Sequence, residues 1–327
     1  MKWKIGNVEI DNSIVVAPMA GISNEAFRTI CKKFHAGLIY TEMISDKALF
    51  YDNKKTIAMM NVHPEEHPLS MQLFGHDVET MVLAAKRMDE GDCDIIDINM
   101  GCPVTKVIKA HAGSALLLEE DYACELVKTI VASVHKPVTV KLRLGFDKDH
   151  INVLSMARKL EKAGASALCI HGRTRAQMYE GQANWELIKQ VKQQANIPII
   201  GNGDIRSCVD FKNRMEETHV DAIMIGRALH GNPWLIQEIY EYLETGEVQT
   251  SPTVQDRFAL MKEHAQSLIA LKGEVIGIRE MRGHAVWYVK GLPASHKVKE
   301  KLANMETYEE MVQIIEDYQK QIEDAAS

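Results

Sequence analysis

The feature that most restricts this chain is a recurring alternation: a short, largely apolar run, then a stretch with helical periodicity. The runs begin at Ile14, Leu38, Leu69, Ile95, Pro137, Ala167, Ile197 and Ala222. Strands this short and this apolar read as covered on both faces, as in a parallel sheet. Helical segments separate most of them. Asn24 can cap a helix to about His35, with Phe27, Ile30 and Cys31 on one face, and others span about 121–134, 151–163 and 185–194. This order predicts an α/β fold, a closed TIM-type β/α barrel. An open doubly wound sheet is the alternative, but Ala17-Pro18-Met19-Ala20-Gly21, after the first strand, lacks the GxGxxG turn of a dinucleotide site.

The chain has 327 residues, enough for one large and one small domain. Thr245 to Pro252 reads as the linker, which divides it into a barrel at 1–244 and a C-terminal helical domain at 245–327. Helices are expected at about 253–271, 275–289, 295–303 and 305–323. Phe258, Met261, Ala265 and Leu268 form one apolar face, and Met311, Ile314, Ile315 and Tyr318 another. Charge in this part is polarised. Lys272 to Lys301 carries seven Lys/Arg against three Glu, and Leu302 to Ser327 one Lys against seven Asp/Glu. Such a basic stretch suits either an anionic polymer or plain solvation.

The net charge of -7 excludes a uniformly basic nucleic-acid binder while allowing a local footprint. No basic-then-apolar leader and no long apolar segment stand in the sequence, so a soluble, cytoplasmic protein without membrane contact is expected. Six scattered cysteines without a CxxC pair predict free thiols in a reducing compartment and no structural zinc.

Candidate chemistry gathers at the ends of the strands, where a barrel carries its active site. Asp97-Ile98-Asn99-Met100-Gly101-Cys102-Pro103 ends the fourth strand in a turn that presents Cys102, either as an interior thiol or as a reactive group. Gly201, Asn202, Gly203, Gly226 and Arg227 follow the seventh and eighth strands, the usual place for a phosphate in such barrels. Tight turns and a surface ion pair are the alternatives for these positions. Lys141 interrupts an apolar strand, and its buried ammonium needs compensation by a salt bridge or an electron-rich ring. His171 and Gln72 reach the same rim. Phosphate loops together with a cationic ring anchor favour flavin mononucleotide (FMN) over a dinucleotide or a metal. Cys102 then suits a general acid, which must hold its proton when hydride reaches the substrate. His111 can tune that thiol, hold a phosphate, or simply pack its loop.

These residues closely resemble the tRNA-dihydrouridine synthases, particularly their bacterial B-type branch. The shared words are APMAGISNEAFR at 17–28, DINMGCP at 97–103, AGSALL at 112–117, VKLRLG at 140–145, IHGRTR at 170–175, NGDI at 202–205 and IGRALHGNPW at 225–234. The C-terminal helices, with AVWYVKG at 285–291, are similar to the family's RNA-binding domain. The resemblance implies FMN-dependent reduction of selected tRNA uridines to 5,6-dihydrouridine. The D-loop is the expected site, and NADPH (or NADH) the reductant. It implies hydride transfer to uracil C6 and protonation of C5 by Cys102, with Asn99 positioning the uracil and Arg173 on the substrate base or its phosphate. Pro18, Met19, Gln72, Lys141, His171, Asn202, Gly203, Asp204, Gly226 and Arg227 fall on the cofactor side. Trp287 and Tyr288 are candidates for RNA contact or for helix packing. A monomer is compatible with all of this. The competing functions are another FMN barrel oxidoreductase acting on a small conjugated substrate, and a non-catalytic tRNA-binding protein.

Overall fold

The computed structural model describes residues 2–326. Its main sheet closes as a ring of eight parallel strands: β1 Ile14–Val16, β2 Leu38–Tyr40, β3 Leu69–Phe74, β4 Ile95–Met100, β5 Val138–Arg143, β6 Ala167–His171, β7 Ile199–Asn202 and β8 Ala222–Ile225, with a two-residue ninth strand, Ile44–Ser45, paired to the end of β3. Each strand pairs with the next, and β8 pairs back onto β1, so the expected TIM-type barrel is the fold observed.

Tertiary packing divides the chain into two compact units. The first comprises residues 2–20 and 36–226; the second comprises 21–35 and 227–326. The division at Gly226 differs from the 244/245 junction read from composition, and the helix after β1 goes with the later helices.

In the first unit, helices α2 Val78–Asp89, α3 Glu120–Val131, α4 Val153–Lys162, α5 Trp185–Gln194 and α6 Cys208–Thr218 connect strands from β3 onward. Each lays an apolar stripe inward, as Met81, Ala84, Ala85 and Met88 do on α2. Helix α6 is not among the elements expected from the sequence, because its few apolar positions leave only Cys208, Phe211 and Thr218 buried. An N-terminal hairpin, Trp3–Ile5 with Val8–Ile10, is likewise unanticipated. Its Ile5 and Ile10 join Val15, Leu38, Tyr40, Ile95, Cys169, Ile200 and Met224 in one fully buried cluster.

Side chains two residues apart on a strand share a face. Following that cluster along the strands, Ile95 is succeeded on its face by Asp97 and Asn99, Cys169 by His171, and Ile200 by Asn202. The alternation thus delivers the polar set to the C-terminal end of the barrel.

The second unit is helical. It contains α1 Glu25–Lys33, then α7 Trp234–Thr245, α8 Val254–Lys272, α9 Glu274–Tyr288, α10 Ser295–Asn304 and α11 Tyr308–Ala326. Asn24 caps α1 by accepting from Phe27 N–H, and Thr253 with Asp256 forms a capping box on α8. Ala26 and Ile30 of α1 share one core with Phe258, Met261, Leu268, Met281 and Ile315. No described helix is long and apolar enough to cross a membrane.

Candidate active site

A chain of hydrogen bonds runs through the upper barrel to the Cys102 turn. Asp97, fully buried on β4, accepts from Thr139 Oγ1 on β5 and from Gln72 Nε2 on β3, each at 2.7 Å. Gln72 Oε1 accepts from Asn99 Nδ2, also at 2.7 Å. Asn99 Oδ1 in turn accepts the backbone N–H groups of Gly101 at 3.1 Å and Cys102 at 2.9 Å. Strand register produces this line, since Asp97 stands opposite both Gln72 and Thr139.

The turn is held from two further directions. Ser114 donates through its Oγ at 2.8 Å and its N–H at 3.2 Å to the Cys102 carbonyl. Arg143 Nε donates to the Gly101 carbonyl at 2.8 Å. Burial pushes the Cys102 thiol above its ordinary range, only partly offset by the Val104 N–H and by Arg143 and Lys141. Cys102 therefore stands as a protonated thiol at neutral pH. Its side chain remains half-buried, whereas Cys31, Cys93, Cys169 and Cys208 are buried.

Lys141 lies beside Asn99 in the β4–β5 register. Its Nζ reaches Asn202 Oδ1 at 3.3 Å, and Asn202 Nδ2 donates to the Met224 carbonyl at 2.8 Å. Among the described residues it makes no ion pair, so no salt bridge compensates it. Burial pulls its pKa below the usual lysine value. A partly buried cation with one long hydrogen bond fits an electron-rich group supplied from outside the chain.

The glycines of the last two loops differ in kind. A Cβ at Gly201 would sit 2.3 Å from the Trp185 ring, and one at Gly203 (φ +137°) 2.6 Å from Ala183 Cβ. Protein packing alone requires both. Gly226 has no such demand: a Cβ there would meet Ala17 Cβ at 3.4 Å and Met19 Sδ at 3.6 Å, and its φ is ordinary. It is the least crowded of the three, packed beside Ala17 and Met19.

A model of the dihydrouridine synthase family matches residues 15–325. The chain belongs to that family. The match takes in all eight barrel strands except the first residue of β1, and extends through the helices to α11.

Relatives of similar length agree. A probable tRNA-dihydrouridine synthase from Rickettsia bellii is 38% identical over 293 residues, covering 89% of this chain and 90% of its own. The tRNA-dihydrouridine synthase B of Pseudomonas putida is 38% identical over 304 residues (93% and 90%), and that of Vibrio vulnificus 42% over 287 (88% and 89%). Among solved structures, histamine dehydrogenase from a Rhizobium species superposes with a TM-score of 0.57 at 15% identity. That likeness covers 86% of this chain and 50% of that one, and it concerns the fold alone.

Set against the family resemblance, the anticipated residues separate into groups. Gln72, Asn99 and Cys102 form one bonded line, and Lys141 meets Asn202. His171 lies beside Gly203, whose Cβ would stand 3.4 Å from the imidazole Cδ2. Pro18 and Met19 are half-buried in the loop after β1. Arg227 opens the 3-10 turn Arg227–Leu229 in the second unit and is exposed.

Arg173 differs from expectation. It is 1% exposed, and its Nη2 grips both Asp204 oxygens at 2.9 and 2.7 Å. It also donates to the carbonyls of Glu180 and Gly181. As placed, it braces its loop, while its Nη1 is buried without a hydrogen-bond partner among the described residues. Asp204 is likewise occupied by Arg173 and the Ala183 N–H. Burial pushes its carboxyl upward, and these partners outweigh that and hold it below the usual range.

Asp97, Thr139, Arg143 and Ser114 stand outside the site residues expected from the sequence. The two-residue alternation supplies the signal for three of them: Asp97 precedes Asn99 by two, and Thr139 and Arg143 flank Lys141 by two.

Proposed function

We propose that this chain reduces selected uridines of tRNA to 5,6-dihydrouridine as an FMN-dependent oxidoreductase, with NADPH as the source of electrons. The observation that carries the reading is the Cys102 turn. A protonated thiol is held at the barrel mouth by Asn99, Ser114 and Arg143, within the electrostatic reach of Lys141.

FMN, when bound, supplies hydride from N5 to uracil C6. The chain's own residues do the rest. Lys141 and His171 would hold the flavin ring, with the loop at Pro18 and Met19 beside it. Asn202, Gly203 and Gly226 would receive the ribityl phosphate, and Gly226 is the least crowded of the three loop glycines. Cys102 gives its proton to uracil C5, leaving a thiolate that solvent reprotonates. One hydride and one proton saturate the C5–C6 bond. Asn99 is proposed to steer the uracil; its oxygen is engaged by the turn and one N–H by Gln72, so the N–H that lies 4.0 Å from Met43 Sδ is the one proposed to turn to a base.

A stacked uridine cannot reach a barrel interior, so the base must be turned out of the RNA. The helical unit is proposed as the tRNA-binding part. Of its basic residues, Arg279, Lys297, Lys299 and Lys301 make no ion pair among the described residues. Lys272 is paired with Glu280, and Arg282 Nε donates to the Met305 carbonyl at 2.7 Å. Tyr288 is buried, with its hydroxyl 3.1 Å from His264 Nδ1. It is a packing residue. Trp287 is half-buried beneath Lys290 Nζ, 4.8 Å from the ring centroid.

The deciding experiment is incubation of tRNA lacking dihydrouridine with the enzyme and NADPH, followed by site-resolved mass analysis. A gain of two hydrogens at D-loop uridines is expected. Turnover confined to a small conjugated substrate, or tRNA binding without any gain, would overturn the proposal.

A further inference from the structure

Asp97 is buried beneath the site and touches none of the groups assigned to substrate or cofactor except Gln72. We infer that Asp97 is the positioning residue of Cys102, acting as the acceptor end of the line Asp97–Gln72–Asn99–Cys102, whose donor end is the N–H groups of Gly101 and Cys102. The inference rests on the reading of Cys102 as the proton donor.

Donors and acceptors along the line can be matched in only one direction. An ionised carboxylate only accepts, whereas each primary amide has one accepting and one donating edge. Because Asp97 Oδ2 accepts, Gln72 must turn its nitrogen toward Asp97 and its oxygen away. Asn99 must then offer its nitrogen to Gln72, which leaves Asn99 Oδ1 facing the N–H groups of Gly101 and Cys102. Reversing the first amide reverses the second and sets an NH2 group against two N–H donors. The turn would lose its anchor on that side.

The carboxylate is suited to this task by its surroundings. Tyr40 on β2, Lys141 on β5 and Cys169 on β6 are the titratable groups that face it. Burial pushes Asp97 up to about 6, against the pull of Thr139, Gln72 and Lys141. Thr139 and Gln72 both donate to it, so it stands as an acceptor at both oxygens. Nothing else in the line is restricted to accepting.

The test reads the thiol itself. In Asp97→Asn the side chain can present either edge to Gln72, so the direction is imposed from one end only, by the Gly101 and Cys102 N–H groups, and the line is held less firmly. Iodoacetamide labelling of the Cys102 peptide in the flavin-loaded enzyme, followed by mass spectrometry, is expected to speed up about threefold as the turn loosens. Single-turnover uridine reduction is expected to slow about tenfold, with tRNA affinity held within about twofold. Gln72→Met, which breaks the next link, is expected to give the same gain in labelling and serves if Asp97→Asn does not fold. Thr139→Val removes a donor to the same carboxyl but leaves the oxygen facing Gln72 an acceptor, so its labelling should stay within about twofold of wild type. Unchanged labelling in Asp97→Asn and Gln72→Met overturns the inference, as does a Thr139→Val effect equal to that of Asp97→Asn. The labelling pattern without dihydrouridine on any tRNA would sink the reading of the reaction and leave the positioning role standing.

Discussion

Arg143 on β5 donates its Nε to the Gly101 carbonyl at 2.8 Å, so a strand residue holds the neighbouring strand's turn. The same guanidinium sends Nη1 to the carbonyls of Thr174 and Met178, both at 2.9 Å. One planar cation thereby ties the Cys102 turn to the loop that follows His171. A lysine ammonium cannot span both in that fork. Arg143→Lys should lower unfolding stability by about 2–4 kcal/mol, because buried carbonyls lose their donors. It should also slow uridine reduction. Chemical denaturation and single-turnover assays check this, and a variant unchanged in both would show the tie to be dispensable.

Cys102→Ala should keep its flavin and accept electrons from NADPH, yet lose dihydrouridine formation by about 10²–10⁴-fold, the usual worth of a general acid. The pH dependence follows from the direction of the thiol's shift. A proton donor works while protonated, and burial raises this thiol, so the rate should hold through neutral pH. It should decline only above the ordinary thiol range of about 8.5. A rate that fell between pH 6 and 8 with the loss of one proton from Cys102 would contradict the assignment.

Lys141→Met removes the cation that lacks a carboxylate partner. Weaker flavin retention and slower flavin reduction are expected, while the barrel should tolerate the change because no ion pair is broken. Flavin content after dialysis and stopped-flow reduction by NADPH are the measurements. Wild-type behaviour in both would remove Lys141 from the cofactor's seat.

Reversing charge at Arg279, Lys297 and Lys299 should weaken tRNA binding and flatten its salt dependence, by about 0.7–0.9 in slope for each phosphate no longer neutralised. Reversal at Arg282 should instead cost stability, since it serves the Met305 carbonyl. Binding titrations at several salt concentrations separate the two effects. An unaltered slope would place the RNA elsewhere.

The second unit carries a further acid sensitivity. His264 and His284 are buried with ring centroids 4.4 Å apart, and burial first, then neighbouring charge, lowers both; His284 falls to about 4. The unfolded chain binds a proton near pH 6.5 that the folded chain refuses until about 4, so stability is lost as pH drops through that window. His284 alone should cost about 2 kcal/mol between pH 7 and pH 5. Urea denaturation at the two pH values, compared with His284→Gln, measures it. An equal loss in the variant would assign the effect to other groups.

Much of this was legible in the sequence because parallel barrel strands are short, apolar and spaced by helices, and because Asn99, Lys141 and Asn202 break those apolar runs. Other features had no such mark. Helix α6 has too little apolar periodicity to be seen, and the N-terminal hairpin is only three residues per strand. Arg173 is a site candidate through the family resemblance, and the carboxylate it grips lies 31 residues further on, where spacing gives no sign of it. Gly201 and Gly203 read as phosphate turns, and Trp185 and Ala183 give them a second, packing reason that spacing does not show. Sequence spacing locates a strand end; it does not show which neighbour has already taken the side chain.

Helix α1 follows the first barrel strand but shares its core with Phe258, Met261 and Ile315. During synthesis it leaves the ribosome more than two hundred residues ahead of those partners. At about 5–20 residues per second its apolar face waits roughly ten seconds to most of a minute for cover. A fragment made of residues 227–327 would meet the opposite problem, with a groove where Ala26 and Ile30 belong. The helical unit is therefore completed only when the last part of the chain finds one of the first.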